Sequence, residues 1–157
     1  MSGSTTATTA DLMWGTFWLE REKLYLGGIK SNSYLGSLWS NCFSLRSLDV
    51  TNWNTTNWTV SSIQSLFAHC RSLPEVDLSH WDTSNWTVTS LNYMFYCCFC
   101  LKHIDLDSWD TSNWAVTKME NMFSYSPSLT TVKMNSWDTS NWAVTTLAYL
   151  FSGCSSL

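Results

Sequence analysis

Apolar and polar positions recur along this chain with a period of 28 residues. Trp53, Trp81, Trp109 and Trp137 keep that step, as do Trp58, Trp86, Trp114 and Trp142. Phe67, Phe95, Phe123 and Phe151 form a third column, with Trp39 in the same place one unit earlier. Leu45, Leu73, Leu101, Leu129 and Leu157 form a fourth. A fixed period of this length signals stacked repeats, in which each unit buries its apolar face only against its neighbours. Within one unit, Leu73, Val76 and Leu78 have the spacing of a short strand with alternate residues turned inward. The turn formers Ser79-His80-Trp81-Asp82-Thr83-Ser84-Asn85 follow. Val88, Leu91, Met94 or Phe95, and Cys98 then stand at steps of three and four, which predicts one face of a short helix. The expected architecture is an α/β repeat solenoid, a right-handed, leucine-rich-repeat-like stack. Each unit contributes a short parallel strand on one side and a short helix on the other.

Residues 1–33 lie outside the periodic part. Composition marks the first ten as a flexible tail. Residues 17–26 suggest a capping β-hairpin, with Phe17 and Leu19 facing Leu24 and Leu26 across the charged turn Glu20–Lys23. The domain reading is therefore tail and cap over 1–33, then a stack over 34–157 of four full units and a truncated fifth.

The unit L-x-x-[VL]-D-L-S-x-W-D-T-S-N, continued by V-T-x-[LM]-x-x-[ML]-F-x-x-C-x-x-L, resembles the BspA-like leucine-rich repeat, a bacterial surface-protein repeat of about 26 residues. Residues 73–101 carry the likeness best, and it extends over about 34–157. This chain departs from it by two extra residues between Asn and Val: Trp58-Thr59, Trp86-Thr87, Trp114-Ala115 and Trp142-Ala143. The segment from Thr16 to Gly28 resembles the hairpin that often precedes such repeats. The resemblance implies surface exposure and a role in adhesion or interaction.

Composition narrows the function. Charged residues make up only 13% of the chain and the net charge is −4, which argues against nucleic acid, whose binding needs a basic stripe. No apolar run approaches the roughly 20 residues of a membrane span. The N-terminus has neither the basic segment nor the apolar core of a secretory signal, so the expected extracellular or surface location leaves the export route unread.

Candidate chemistry is sparse. Cys42, Cys70, Cys98 and Cys154 share a column that Ser126 completes, so a small residue is required there, and reduced buried thiols are expected. Asn57, Asn85, Asn113 and Asn141 form a column that keeps its Asn even where the glycan-acceptor pattern is lost, which points to a structural ladder. Asn54, Asn57 and Asn85 do match that acceptor pattern. Cys97, Cys98, Cys100 and His103 are the one metal-like cluster, and their columns elsewhere hold no ligands, so no metal is expected. Gly27-Gly28-Ile29-Lys30-Ser31 fails the phosphate-loop pattern and reads as a turn. His69, His80 and His103 have no nucleophile-and-carboxylate arrangement, and neither enzymatic activity nor a cofactor is expected. Ladders of Thr and Ser suggest ice binding as a minor alternative, though the change from Thr59 and Thr87 to Ala115 and Ala143 interrupts the array.

Two functions remain. In the first, the protein is structural and assembles head-to-tail with itself into an extracellular or surface filament. The joint would use Trp14, Trp18, Leu24 and Leu26 at one end and Phe151, Cys154 and Leu157 at the other, where the stack is expected to end uncapped. In the second, it is a surface module that binds a glycan or a cell-surface protein. There the column Trp58, Trp86, Trp114 and Trp142 either folds into the core or forms an exposed ladder for lateral or ligand contact.

Overall fold

The structure is a computed structural model that describes residues 34–51 and 53–157. The hairpin expected over 17–26, and with it Trp14, Trp18, Leu24 and Leu26, lies outside the described residues.

The periodic columns become physical columns. Phe67, Phe95, Phe123 and Phe151 stack in sequence, with centroids 5.2, 5.6 and 5.3 Å apart and planes within 6° of parallel. Trp39 heads the same column, 4.9 Å from Phe67. Trp53, Trp81, Trp109 and Trp137 form a second stack, at spacings of 5.8, 6.2 and 6.4 Å. Trp86, Trp114 and Trp142 form a third, at 6.4 and 6.5 Å. Equivalent residues of successive units thus lie one above another at about the spacing of paired strands. Between the columns, Leu73, Leu78, Val88, Leu91, Met94, Leu101, Leu106, Val116 and Leu129 fill the core.

The α/β solenoid expectation is overturned. No helix occurs among the described residues, and the regular secondary structure is two short strands. These are β1 (His103–Asp105) and β2 (Thr131–Lys133), paired in parallel with His103 opposite Thr131. Isolated bridges join Tyr34 to Ser62 and Ser90 to Lys118. In β1, Ile104 points inward while His103 and Asp105 face solvent, the alternation that a strand imposes.

The segment expected to be helical is a ribbon of turns. Val88, Leu91, Met94, Phe95 and Cys98 are all buried, so the apolar spacing does mark an inward face. The backbone reaches it differently. Tyr93 and Cys97 have φ of 60° and 58°, and each later or earlier unit repeats the pair: Ser37 and Asn41, Ser65 and His69, Asn121 and Tyr125, Tyr149 and Gly153. Two left-handed residues four apart forbid an α-helix, at a cost of roughly 1–2 kcal/mol for each non-glycine. The ribbon offsets that cost with hydrogen bonds a helix would not make. The amides of Leu91, Tyr93, Phe95 and Cys97 donate to the carbonyls of Lys118, Glu120, Met122 and Ser124 in the next unit, while those of Met94 and Tyr96 close local turns onto Leu91 and Tyr93. Alternate amides therefore hold the neighbouring unit and the ribbon itself.

Candidate functional site

The polar columns serve the joints between units. The side-chain amides of Asn85, Asn113 and Asn141 donate to the carbonyls of Thr56, Ser84 and Ser112, each in the preceding unit, at 2.8–3.0 Å. The nitrogen that would carry a glycan on Asn85 is thus engaged, while Asn54 and Asn57 are exposed. Thr55, Thr83 and Thr111 are buried, and their hydroxyls donate to the carbonyls of Asp82, Asp110 and Asp138 in the following unit. Between these ladders, the carboxylates of Asp82, Asp110 and Asp138 accept from the amides of Ser84, Ser112 and Ser140, closing a tight turn. The hydrogen bonds from Ser84 hold the Asp82 carboxyl below the usual carboxylate range.

The cysteine column has the same purpose. The thiols of Cys70, Cys98 and Cys154 reach the carbonyls of Trp39, Phe67 and Phe123, each at 3.0–3.2 Å, and the Ser126 hydroxyl reaches that of Phe95 at 3.0 Å. Each caps the aromatic position of the unit before it. All six cysteines are free thiols. Burial pushes the Cys98 thiol up to about 12 and raises that of Cys70 as well, so neither is a ready thiolate at neutral pH.

The second tryptophan column folds into the core. Trp58, Trp86 and Trp114 are buried and Trp142 is half-buried. A sugar cannot stack on these rings, which removes the surface that an exposed ligand ladder requires. Each packs at about 50–55° to the first-column tryptophan of its own unit, at 5.5–5.8 Å. The two-residue insertion thus widens the core. Trp109 and Trp137 donate their indole N–H to the carbonyls of Leu78 and Leu106. The buried N–H groups of Trp86, Trp114 and Trp142 meet no acceptor among the described residues.

The cysteine and histidine cluster does not converge. Among the described residues no three His, Cys, Asp or Glu side chains come together as metal ligands. Cys97 and Cys98 are buried, Cys100 is exposed, and His103 turns towards Glu75 at 3.7 Å. His80 lies beside Asp77, and His69 packs edge-on against Tyr96. An open depression lined by Asn92, Thr117, Lys118, Glu120, Ala143 and Thr145 holds no nucleophile paired with a base.

Two surfaces stand out instead. The first is the outer face of the last unit. Leu147, Phe151 and Leu157 belong to columns that are buried in the units before, yet they are 56%, 37% and 53% exposed, and Tyr149 beside them is 70% exposed. Val132, Met134, Trp137, Trp142, Val144, Leu150 and Cys154 are only partly covered. The amides of Leu147, Tyr149, Phe151 and Gly153, whose equivalents in earlier units bond forward, meet no carbonyl among the described residues. Of the assembly residues expected from the sequence, Phe151, Cys154 and Leu157 all lie in this unit. Sequence reasoning missed Leu147 and Tyr149.

The second surface runs along the ribbon of turns, where sequence reasoning singled out nothing. Phe43, Arg71 and Phe99 stand one unit apart, and the Arg71 guanidinium lies 4.9 Å from the Phe43 ring and 5.3 Å from the Phe99 ring. Next to them, His69 contacts both Phe43 and Tyr96, and Tyr96 contacts Tyr93 and Tyr125. The available signal was a column holding Phe, Arg and Phe immediately beyond the small-residue cysteine column.

Neither a curated protein nor a solved structure matches this chain. A family model described as "Mycoplasma protein of unknown function, DUF285" matches residues 34–157, the whole of the periodic region, and the chain belongs to that family.

Proposed function

We propose that this is a non-enzymatic structural protein of the cell surface, and that it assembles by docking a second copy of itself on the outer face of the unit that carries Leu147 and Phe151. The observation that carries this reading is the contrast between identical columns. Phe67, Phe95 and Phe123 are at most 1% exposed beneath the next unit, whereas Phe151 is 37% exposed. Apolar surface of this kind gains roughly 25 cal/mol for each Å² removed from water. The same face also carries a row of free amides, which templates pairing with another chain.

The row sets the polarity of the joint. Between units, amides at one face meet carbonyls at the other, as Phe95 meets Met122 and Cys97 meets Ser124. A docking copy must bring carbonyls to this row, and a head-to-tail contact brings them. Such a contact leaves an equivalent row free on the added copy, so assembly continues into a filament.

Light scattering on the full chain over a range of concentrations tests the proposal. The expected result is a mass that climbs with concentration without a fixed endpoint, and a Leu147→Lys variant that stays monomeric with an unchanged circular dichroism spectrum. A wild-type mass fixed at the monomer would overturn self-assembly. A mass that saturates at the dimer would overturn the head-to-tail polarity.

A further inference from the structure

We infer that the strip around Arg71 is a binding site for an acidic glycan, with the guanidinium taking a sugar carboxylate and the neighbouring rings taking the sugar faces. This is independent of self-assembly and uses residues on a different surface.

The geometry begins with the guanidinium. With its Cζ 4.9 Å from the Phe43 ring and 5.3 Å from the Phe99 ring, it loses some of the freedom that an arginine side chain otherwise gives up on binding. Neither ring offers an acceptor for the N–H donors along the guanidinium edge. That edge matches two oxygens of one carboxylate. Arg71 is exposed and forms no ion pair with a carboxylate among the described residues, whose cation–carboxylate contacts are His80 with Asp77, His103 with Glu75 and Lys133 with Asp105. In a chain of net charge −4, residues 34–48, 62–74 and 91–103 contain no Asp or Glu, while they hold Arg46, Arg71 and Lys102. The ribbon is therefore free of carboxylates around Arg71, with Glu120 entering only in the following unit, and this stretch is complementary to an anion.

The aromatic surroundings select the rest of the ligand. Phe43, Phe99, Tyr93 and Tyr125 are 48%, 40%, 36% and 54% exposed, a concentration of ring surface that the columns inside the core do not require. Their T-shaped contacts through His69 and Tyr96 fix the rings at set angles. Rigid rings that combine an apolar face with a polar tip offer contact area at little conformational cost. Sugars present both C–H faces and hydroxyls, which suits Phe and Tyr together. A single clamped guanidinium meets one anionic group per binding unit. Nucleic acid would require a stripe of cations following its phosphates. The buried Nδ1 of His69 has no partner, and the ring sits between Phe43 and Tyr96; it contributes to the platform as a ring.

The test is titration calorimetry of the full chain with a glucuronate-containing oligosaccharide, set against the same oligosaccharide with its carboxyls reduced to alcohols, and against sodium acetate. Binding of the acidic oligosaccharide is expected, with at least about tenfold weaker binding of the reduced form and of acetate, since a charge-assisted hydrogen bond contributes about 1.5 kcal/mol or more. Arg71→Gln should lose the preference for the acidic form, and Tyr125→Ala should weaken both sugars, with thermal unfolding confirming that each variant folds. No binding of the acidic oligosaccharide, equal binding by Arg71→Gln, or acetate binding as tightly as the sugar would overturn the inference.

Discussion

At single positions, the repeat is explained by what each column does for its neighbour. The column of Cys42, Cys70, Cys98, Ser126 and Cys154 was legible as a place for a small residue. Its second requirement, a hydrogen-bond donor aimed at the carbonyl of the preceding aromatic, was not. Spacing reveals size and polarity, whereas direction appears only once the units are stacked. The same holds for the asparagine column, where retention of Asn without the acceptor pattern signalled a structural bond but not its partner. A substitution pair separates size from donation. Cys98→Ser keeps a donor that Ser126 already shows to fit, and is expected to change stability by less than about 1 kcal/mol. Cys98→Ala removes one of two donors to the Phe67 carbonyl, which keeps the Cys70 amide, together with the volume of the thiol, and is expected to cost about 1–1.5 kcal/mol. Urea unfolding of the two variants checks this, and equal losses would show that only volume matters in this column.

Among the local elements, the strand expected in every unit forms in two, while Leu73, Val76 and Leu78 with the same spacing form none, and the helix was misread. Leu101, Ile104 and Leu106 alternate, and β1 follows. Steps of three and four in Leu91, Met94, Phe95 and Cys98 do mark an inward face, but a helix and a ribbon of turns both satisfy them. The residues that decide between the two are Tyr93 and Cys97, ordinary in type and left-handed in conformation. No propensity marks them, because the gain that holds them there is the set of hydrogen bonds to the next unit. The two backbones make opposite predictions for one substitution. Ser65 has φ of 57°, so Ser65→Gly relieves strain and should stabilise the protein by about 0.5–1 kcal/mol. In a helix the same change would destabilise by a similar amount. Thermal unfolding of Ser65→Gly reads the sign, and a lowered midpoint would contradict the ribbon.

For the molecule taken together, the proposed joint between copies would repeat the chemistry of the joints between units. Aromatic columns, alternate amides, and Asn, Thr and Cys donors each link one unit to its neighbour; in the unit of Phe151 the Asn141 and Cys154 donors are bonded to the unit before, while apolar side chains and alternate amides face outward. Phe151 and Leu157, singled out from the sequence, are among the exposed apolar residues of this face. The sequence could not show the amide row, which exists only because the ribbon replaces a helix that would have consumed those amides internally. Nor could it show that Trp58, Trp86 and Trp114 turn inward, since an insertion between Asn and Val fits a wider core as well as an exposed ladder. The protein that results keeps Trp58, Trp86 and Trp114 inside and exposes two separate surfaces, the face around Leu147 and Phe151 and an aromatic strip around Arg71.

Hydrogen exchange of the full chain, read by mass spectrometry at low and high protein concentration, tests the end face most directly. The amides of Leu147, Tyr149, Phe151 and Gly153 should exchange quickly when dilute and become protected as concentration rises, while those of Phe95 and Phe123, already bonded to the next unit, stay protected throughout. Exchange at residues 147–153 that does not depend on concentration would contradict assembly through this face.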